Sequence, residues 1–175
     1  MVKLPRQIST AATQRRRKAV PPLNATLQFM RWLWAIDHGL QSLSKRMRTT
    51  IGLTGPQRLV VRVLGRASEL SAGELAAVLH VHQSTLTAIL ERLEQDGIVS
   101  RVSASDDRRR AVLSLTADGR ALDRAKRGTV EAAVRRALVR VSPSAVAATV
   151  RVLSAVAHEL EQASRDRSAR PRRTR

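Results

Sequence analysis

Apolar positions repeat along this chain with two different periods. Over residues 23–51, Leu33, Ile36, Leu40, Leu43 and Met47 recur at alternating three- and four-residue steps, the stripe of one long helix. Leu27, Met30 and Trp34 widen that stripe beyond what one face of a small domain needs. Thr54-Gly55-Pro56-Gln57 has the form of a capping box with proline in the first turn. It opens a helix whose expected buried face is Leu59, Val60, Val63, Leu64 and Ala67. Ser71-Ala72-Gly73-Glu74 is a second capping box and starts a short helix with Leu75, Val78 and Leu79 inward. After a tight turn at His80-Val81, a further helix runs from about Gln83 to Asp96 on Leu86, Ile89, Leu90 and Leu93, and Gly97 stops it. Two short helices joined by so brief a turn form a helix-turn-helix unit.

Beyond Gly97 the helical period gives way. Ile98, Val99 and Val102 read as one strand, and Ala111, Leu113 and Leu115 alternate as a second. The stretch between them, Ser103 to Arg110, is polar and ends in three arginines, so the hairpin has a basic tip and reads as a wing. Thr116 caps a helix expected from about Ala117 to Val141. Ser142-Pro143 opens a last helix through about Ala163, with Val146, Val150, Leu153, Val156 and Leu160 as its apolar face. The predicted fold is mainly α with a small β-hairpin wing. A winged helix-turn-helix over about 54–116 is flanked by helices 23–51 and 117–163. The apolar content of those flanking helices exceeds the needs of one chain, and burying it against a second copy gives a two-fold homodimer.

Charge sharpens this picture. The 32 Lys and Arg against 14 Asp and Glu give a net charge of +18. Residues 1–22 hold six basic groups and no acid, and residues 164–175 hold six Arg and one Asp, so 11 of the 18 charges lie at the ends. These ends read as flexible basic arms around a domain at 23–163, either as solvated tails or as arms that follow phosphates. The Arg-rich start superficially suits an organellar transit peptide, and no apolar segment of a secretory signal follows it. A charge this large implies an anionic partner, most simply nucleic acid. The absence of cysteine excludes a disulfide framework, a Cys-ligated metal site and a thiol switch. No apolar run approaches the roughly 18 residues of a membrane span, so no membrane partner is expected.

Several motifs stand in order between Ser71 and Gly119: Glu74-Leu75-Ala76, Ser84-Thr85, Leu93-Glu94, Gly97-Ile98-Val99, Asp107-Arg108-Arg109 and Leu115-Thr116-Ala117-Asp118-Gly119. In kind and spacing they resemble the MarR family of bacterial winged-helix regulators, over about residues 25–163. The resemblance implies a homodimeric, cytoplasmic, nucleoid-associated transcription regulator, a repressor on a pseudo-palindromic operator, with no cofactor. It also marks departures. His80 stands where the turn usually carries Gly, His82 where the recognition helix usually has a Ser N-cap, and Ala88 where a longer, often basic side chain is common.

The chemistry expected at DNA follows from the helix-turn-helix. A recognition helix turns its N-terminal residues to base edges in the major groove. Gln83 can pair bidentately with adenine, Ser84, Thr85 and Thr87 can bond bases or phosphates, and Arg92 reaches a phosphate or an internal acid. In the wing, Arg108, Arg109 and Arg110 suit the backbone or minor groove, with Asp107 orienting Arg109 through an ion pair. The bland alternatives are a solvated helix face and a solvated charge run. Phe29, Trp32 and Trp34 are the chain's only aromatics and lie on the first helix. They serve core and dimer packing, or, as the resemblance implies, Trp34, His38, Arg46 and Arg48 line a crevice for a small anionic aromatic effector. No spacing matches a nucleophile elbow, P-loop or zinc-protease helix, so no enzyme is expected; His80 and His82, without a carboxylate cluster, give only a weak metal signal. The rival from another class is an architectural, nucleoid-like DNA protein with little sequence preference. An RNA-binding role lacks an aromatic stacking platform.

Overall fold

Local capping chemistry sets where the helices begin. The structure, a computed structural model, describes residues 22–67, 69–103 and 111–169, with side chains through 165. Helix α1 (Ala25–Ile51) is followed by α2 (Gly55–Leu64), α3 (Ala72–Leu79) and α4 (Gln83–Gln95). Strands β1 (Val99–Ser103) and β2 (Ala111–Leu115) lead into α5 (Ala117–Asp123), α6 (Val130–Leu138) and α7 (Pro143–Ala169). Both expected capping boxes form: Thr54 accepts from the Gln57 N–H and Ser71 from the Glu74 N–H, and each glutamine or glutamate side chain bonds back to the cap. Thr116 caps α5 through the Gly119 N–H. No helix among the described residues is long and apolar enough to cross a membrane.

The chain divides into two units, Met1–Ile36 and Asp37–Arg175. In the first, the described part is the opening of α1, where Leu27, Met30, Trp32, Trp34 and Ile36 are all exposed and Arg31 lies 5.4 Å over the Trp32 ring. The second holds the core. Leu53, Val60, Val61, Leu75, Leu86, Leu90, Leu93, Ile98, Val99, Leu113 and Leu115 form one buried cluster. β1 and β2 pair antiparallel, with Val99 opposite Leu115 and Ser103 opposite Ala111. An isolated bridge from Leu70 to Leu113 adds a short third edge. This is a winged helix-turn-helix, mainly helical with one small hairpin.

Several expectations need correction. The single helix expected over 117–141 is two, α5 and α6, separated at Gly128, whose φ of 71° is left-handed. Thr129 restarts the chain as the N-cap of α6, accepting from the Ala132 N–H, and is buried. Second, α2 is rotated from its expected face: Gln57, Arg58, Val60, Val61 and Leu64 are buried, while Leu59 is 53% exposed and Val63 only half-buried. On α3, Leu75 is buried and Leu79 packs half-buried against the core as expected, Ala76 joins them, and Val78 is exposed. Third, α7 continues past the expected Ala163 to Ala169, with an Arg165–Glu161 ion pair one turn apart supporting the extension.

One glycine explains a motif. At Gly119, in the Leu-Thr-x-x-Gly segment, an added Cβ would stand 2.2 Å from the Ile98 carbonyl oxygen. That close approach lets α5 press on the start of β1, where Thr116 also donates to the Gly97 and Ile98 carbonyls.

Candidate nucleic-acid interface

The turn between α3 and α4 is a Schellman motif. The Val81 N–H bonds the Ala76 carbonyl and the His80 N–H bonds the Ala77 carbonyl, with His80 in the left-handed region at φ 52°, ψ 46°. The end of α4 repeats the motif: Ile98 N–H to the Leu93 carbonyl, Gly97 N–H to the Glu94 carbonyl, and Gly97 at φ 68°. The two turns therefore hold α4 at both ends with the same backbone geometry.

Between them α4 is sharply two-faced. Leu86, Leu90 and Leu93 are buried, and Gln83, Ser84, Thr85, Thr87 and Ala88 are all exposed. His82 is the N-cap residue but makes no side-chain cap bond, so α4 begins with amides that a side chain does not satisfy and that suit an anion. Thr87 donates its hydroxyl to the Gln83 carbonyl at 2.8 Å. Its proton is thus engaged within the helix, and the exposed side chain keeps a hydroxyl oxygen free to accept. Arg92 is bound to Asp96 at 3.1 Å, the internal acid foreseen as one of its two options.

A cation that the sequence reading did not single out stands at the base of the wing. Arg101 on β1 is exposed and its Nε donates to Glu94 of α4 at 2.9 Å. Strand alternation gives no signal for it: Val99 and Arg101 share a face of β1, and burial falls along the strand from Val99 towards Ser103. Asp107, Arg108, Arg109 and Arg110 lie outside the described residues, as do residues 1–21 and 170–175.

A second feature of the Asp37–Arg175 unit is a cleft of about 980 Å³ between α1, α2 and α6, walled by Leu40, Leu59, Val134 and Leu138, with both acids (Asp37, Glu131) and arginines (Arg62, Arg66, Arg135) on its polar side. His38, Arg46 and Arg48 are exposed and do not line it. Trp34, in the other unit, is 72% exposed. Beside the cleft, Arg58 is 2% exposed and binds Glu131 at 2.6 Å. Burial raises the Glu131 pKa, but hydrogen bonds from Arg58, its own amide and Thr129, with the Arg58 charge, outweigh that and leave it below 4.5.

Comparison with known proteins agrees with this geometry. The model for the MarR family matches residues 51–110. The organic hydroperoxide resistance transcriptional regulator of Bacillus subtilis is 30% identical over 87 residues, 50% of this chain and 59% of that one. The HTH-type transcriptional repressor Rv2887 of Mycobacterium tuberculosis is 35% identical over 92 residues, 53% of this chain and 66% of that one. The chain thus spans less than two thirds of either relative's length. In fold, a MepR–DNA complex from Staphylococcus aureus superposes with a TM-score of 0.61 at 18% identity, covering 75% of this chain and 97% of that one.

Proposed function

We propose that this chain, whose residues 51–110 match the model for the MarR family, is a winged helix-turn-helix transcriptional regulator of that family, a sequence-specific repressor binding a pseudo-palindromic duplex as a homodimer. The observation that carries the reading is α4: a helix anchored by Leu86, Leu90 and Leu93 that offers Gln83, Ser84, Thr85 and Thr87 to solvent at an uncapped N-terminus. Gln83 reads adenine, the Thr87 methyl meets a thymine methyl, and Ser84 and Thr85 bond phosphates or base edges. Arg108, Arg109 and Arg110 supply backbone or minor-groove charge from the wing, with Asp107 aiming Arg109. Arg92, tied to Asp96, is the weakest contact of the set.

The homodimer is supported by two helices that bury little. Met47 is the one buried residue of α1, while on α7 Val150, Leu153 and Leu160 are 40–61% exposed. Apolar faces of that size mark a partner, and a second copy covers both with one symmetric interface. For an effector, the crevice at Trp34, His38, Arg46 and Arg48 stands beside a second place, the cleft of α1, α2 and α6, whose walls suit a small molecule with an apolar body.

Selection of bound duplexes from random DNA tests the proposal. A palindromic consensus is expected, with Gln83→Ala costing about 1–3 kcal/mol on the selected site and little on random sequence. Arg109→Ala should weaken both DNAs alike. Equal losses on both for Gln83→Ala would instead favour the architectural reading.

A further inference from the structure

Helix α6 is attached to the winged unit in an unusual way. None of its side chains is fully buried, so no core holds its direction. What fixes its start is a set of polar bonds from α2. The Arg58 Nε donates to Glu131 at 2.8 Å, and its terminal nitrogens donate to the carbonyls of Leu122, Asp123 (3.2 Å) and Ala125 (2.6 Å). One turn on, Arg62 binds the Asp123 carboxylate at 2.6 Å and its carbonyl at 3.0 Å. The end of α5, the linker and the first turn of α6 are therefore gathered by two arginines of one helix.

The chemistry of these bonds is that of a joint. The last carbonyls of α5 have acceptor capacity to spare: Leu122 accepts from the Ala125 N–H, and Arg58 adds donors to it and to Asp123 from more than 60 residues away in sequence. Glu131 sits in the first turn of α6, where a negative charge suits the helix dipole, and it closes the clamp with a charge-assisted bond. Gly65 makes room for it: an added Cβ there would stand 2.7 Å from the Asp123 carboxylate.

We propose that Arg58, Arg62 and Glu131 are positioning residues for DNA recognition: their clamp sets the direction in which α6 leaves the winged unit. This rests on the homodimer reading, in which α7 joins the two copies. There the direction of α6 fixes the separation of the two α4 helices, and hence the half-site spacing that the protein accepts. The Arg58 clamp acts on spacing and not on base contacts.

The test uses the full-length protein, the Glu131→Gln variant and duplexes carrying two selected half-sites at spacings varied one base pair at a time, with a single half-site duplex as control. Wild type is expected to lose about tenfold in affinity per step away from its optimum, and Glu131→Gln to flatten that profile to about threefold or less while binding the single half-site normally. Glu131→Asp, which keeps the charge, should restore much of the profile. In parallel, hydrogen exchange of the DNA-free protein should quicken about tenfold over residues 123–131 in Glu131→Gln, with residues 86–99 unchanged. A wild-type spacing profile in Glu131→Gln, or unchanged exchange at 123–131, overturns the joint. Absence of any spacing preference in wild type overturns the dimeric-operator reading instead, and the exchange result then still judges the clamp. If Glu131→Gln does not fold, Gly65→Ala displaces Asp123 without touching Arg58. It is expected to flatten the profile and to quicken the same amides, and failure to do both refutes the proposal.

Discussion

The two Schellman turns around α4 allow one backbone effect to be measured with opposite sign. His80 and Gly97 occupy the same position of the same motif, at φ 52° and φ 68°. A side chain with a Cβ pays about 1–2 kcal/mol for the left-handed region. Glycine avoids that cost but loses about 0.5–1 kcal/mol more backbone entropy on folding. His80→Gly is therefore expected to stabilise the protein by about 0.5–1 kcal/mol, and Gly97→Ala to destabilise it by a similar amount. Neither figure is confounded by packing. His80 is exposed, and a Cβ at Gly97 meets nothing within 4 Å.

The assay is urea unfolding at one fixed protein concentration, because unfolding of the proposed homodimer has a concentration-dependent midpoint. The slope should stay constant and the midpoints move in opposite directions. For a chain of this size, 1 kcal/mol corresponds to about 2–4 °C in Tm. A destabilised His80→Gly beside a destabilised Gly97→Ala would refute the reasoning, because it would mean that the imidazole makes a native interaction worth more than the strain. A neutral Gly97→Ala would refute it from the other side.

Three further outcomes are expected. Gly119→Ala should lower stability by about 2–3 kcal/mol in the same urea assay, since its Cβ has to displace the Ile98 carbonyl or the start of α5. The stability difference between wild type and Glu131→Gln should be full above pH 4.5 and shrink as pH falls below it, because the folded-state carboxyl titrates lower than 4.5 and its contribution is lost only on protonation; a difference independent of pH down to 3 would contradict this. Deleting residues 1–21 and 170–175, which hold ten Lys and Arg, should make the slope of log K against log salt shallower by several units per dimer. An unchanged slope would show those ends to be solvated tails.

Most elements were legible because their boundaries are written in local chemistry. Thr54, Ser71 and Thr116 announce helix starts, Gly97 announces a stop, and the switch from helical spacing to alternation announces the hairpin. The break between α5 and α6 was missed although Gly128-Thr129 carries a stop and a start, because the Ala- and Arg-rich run around it has high helix propensity throughout. What decides against one long helix is tertiary: Arg58 of α2 donates to the carbonyls of Leu122, Asp123 and Ala125 where the chain leaves α5. The same interaction explains the misjudged face of α2. An apolar count favours Leu59 over Arg58, and nothing local reveals that a guanidinium is worth burying when a distant helix end needs its donors. The extension of α7 failed for a simpler reason. Its last turns carry polar residues and no apolar period, and exposed helix of that kind leaves no signal except its ion pairs.

The distribution of paired and unpaired cations separates two tasks within one basic protein. In the winged unit, Arg58, Arg62, Arg92 and Arg101 are each matched to an acid: Glu131, Asp123, Asp96 and Glu94. These arginines fix geometry and contribute little net field. Most of the excess charge, 11 of 18, sits at the two ends of the sequence, and three consecutive arginines mark the wing. Salt screens exposed charge over roughly 8–10 Å but reaches a buried pair weakly, and Arg58 is 2% exposed. Raising ionic strength should therefore strip affinity from the ends and the wing while leaving the placement of α4 and α6 intact. On the proposed function, affinity and spacing preference then respond to different residues and different conditions, so that a chain of net charge +18 is held near any duplex by its charge and selects one by the arrangement of its helices.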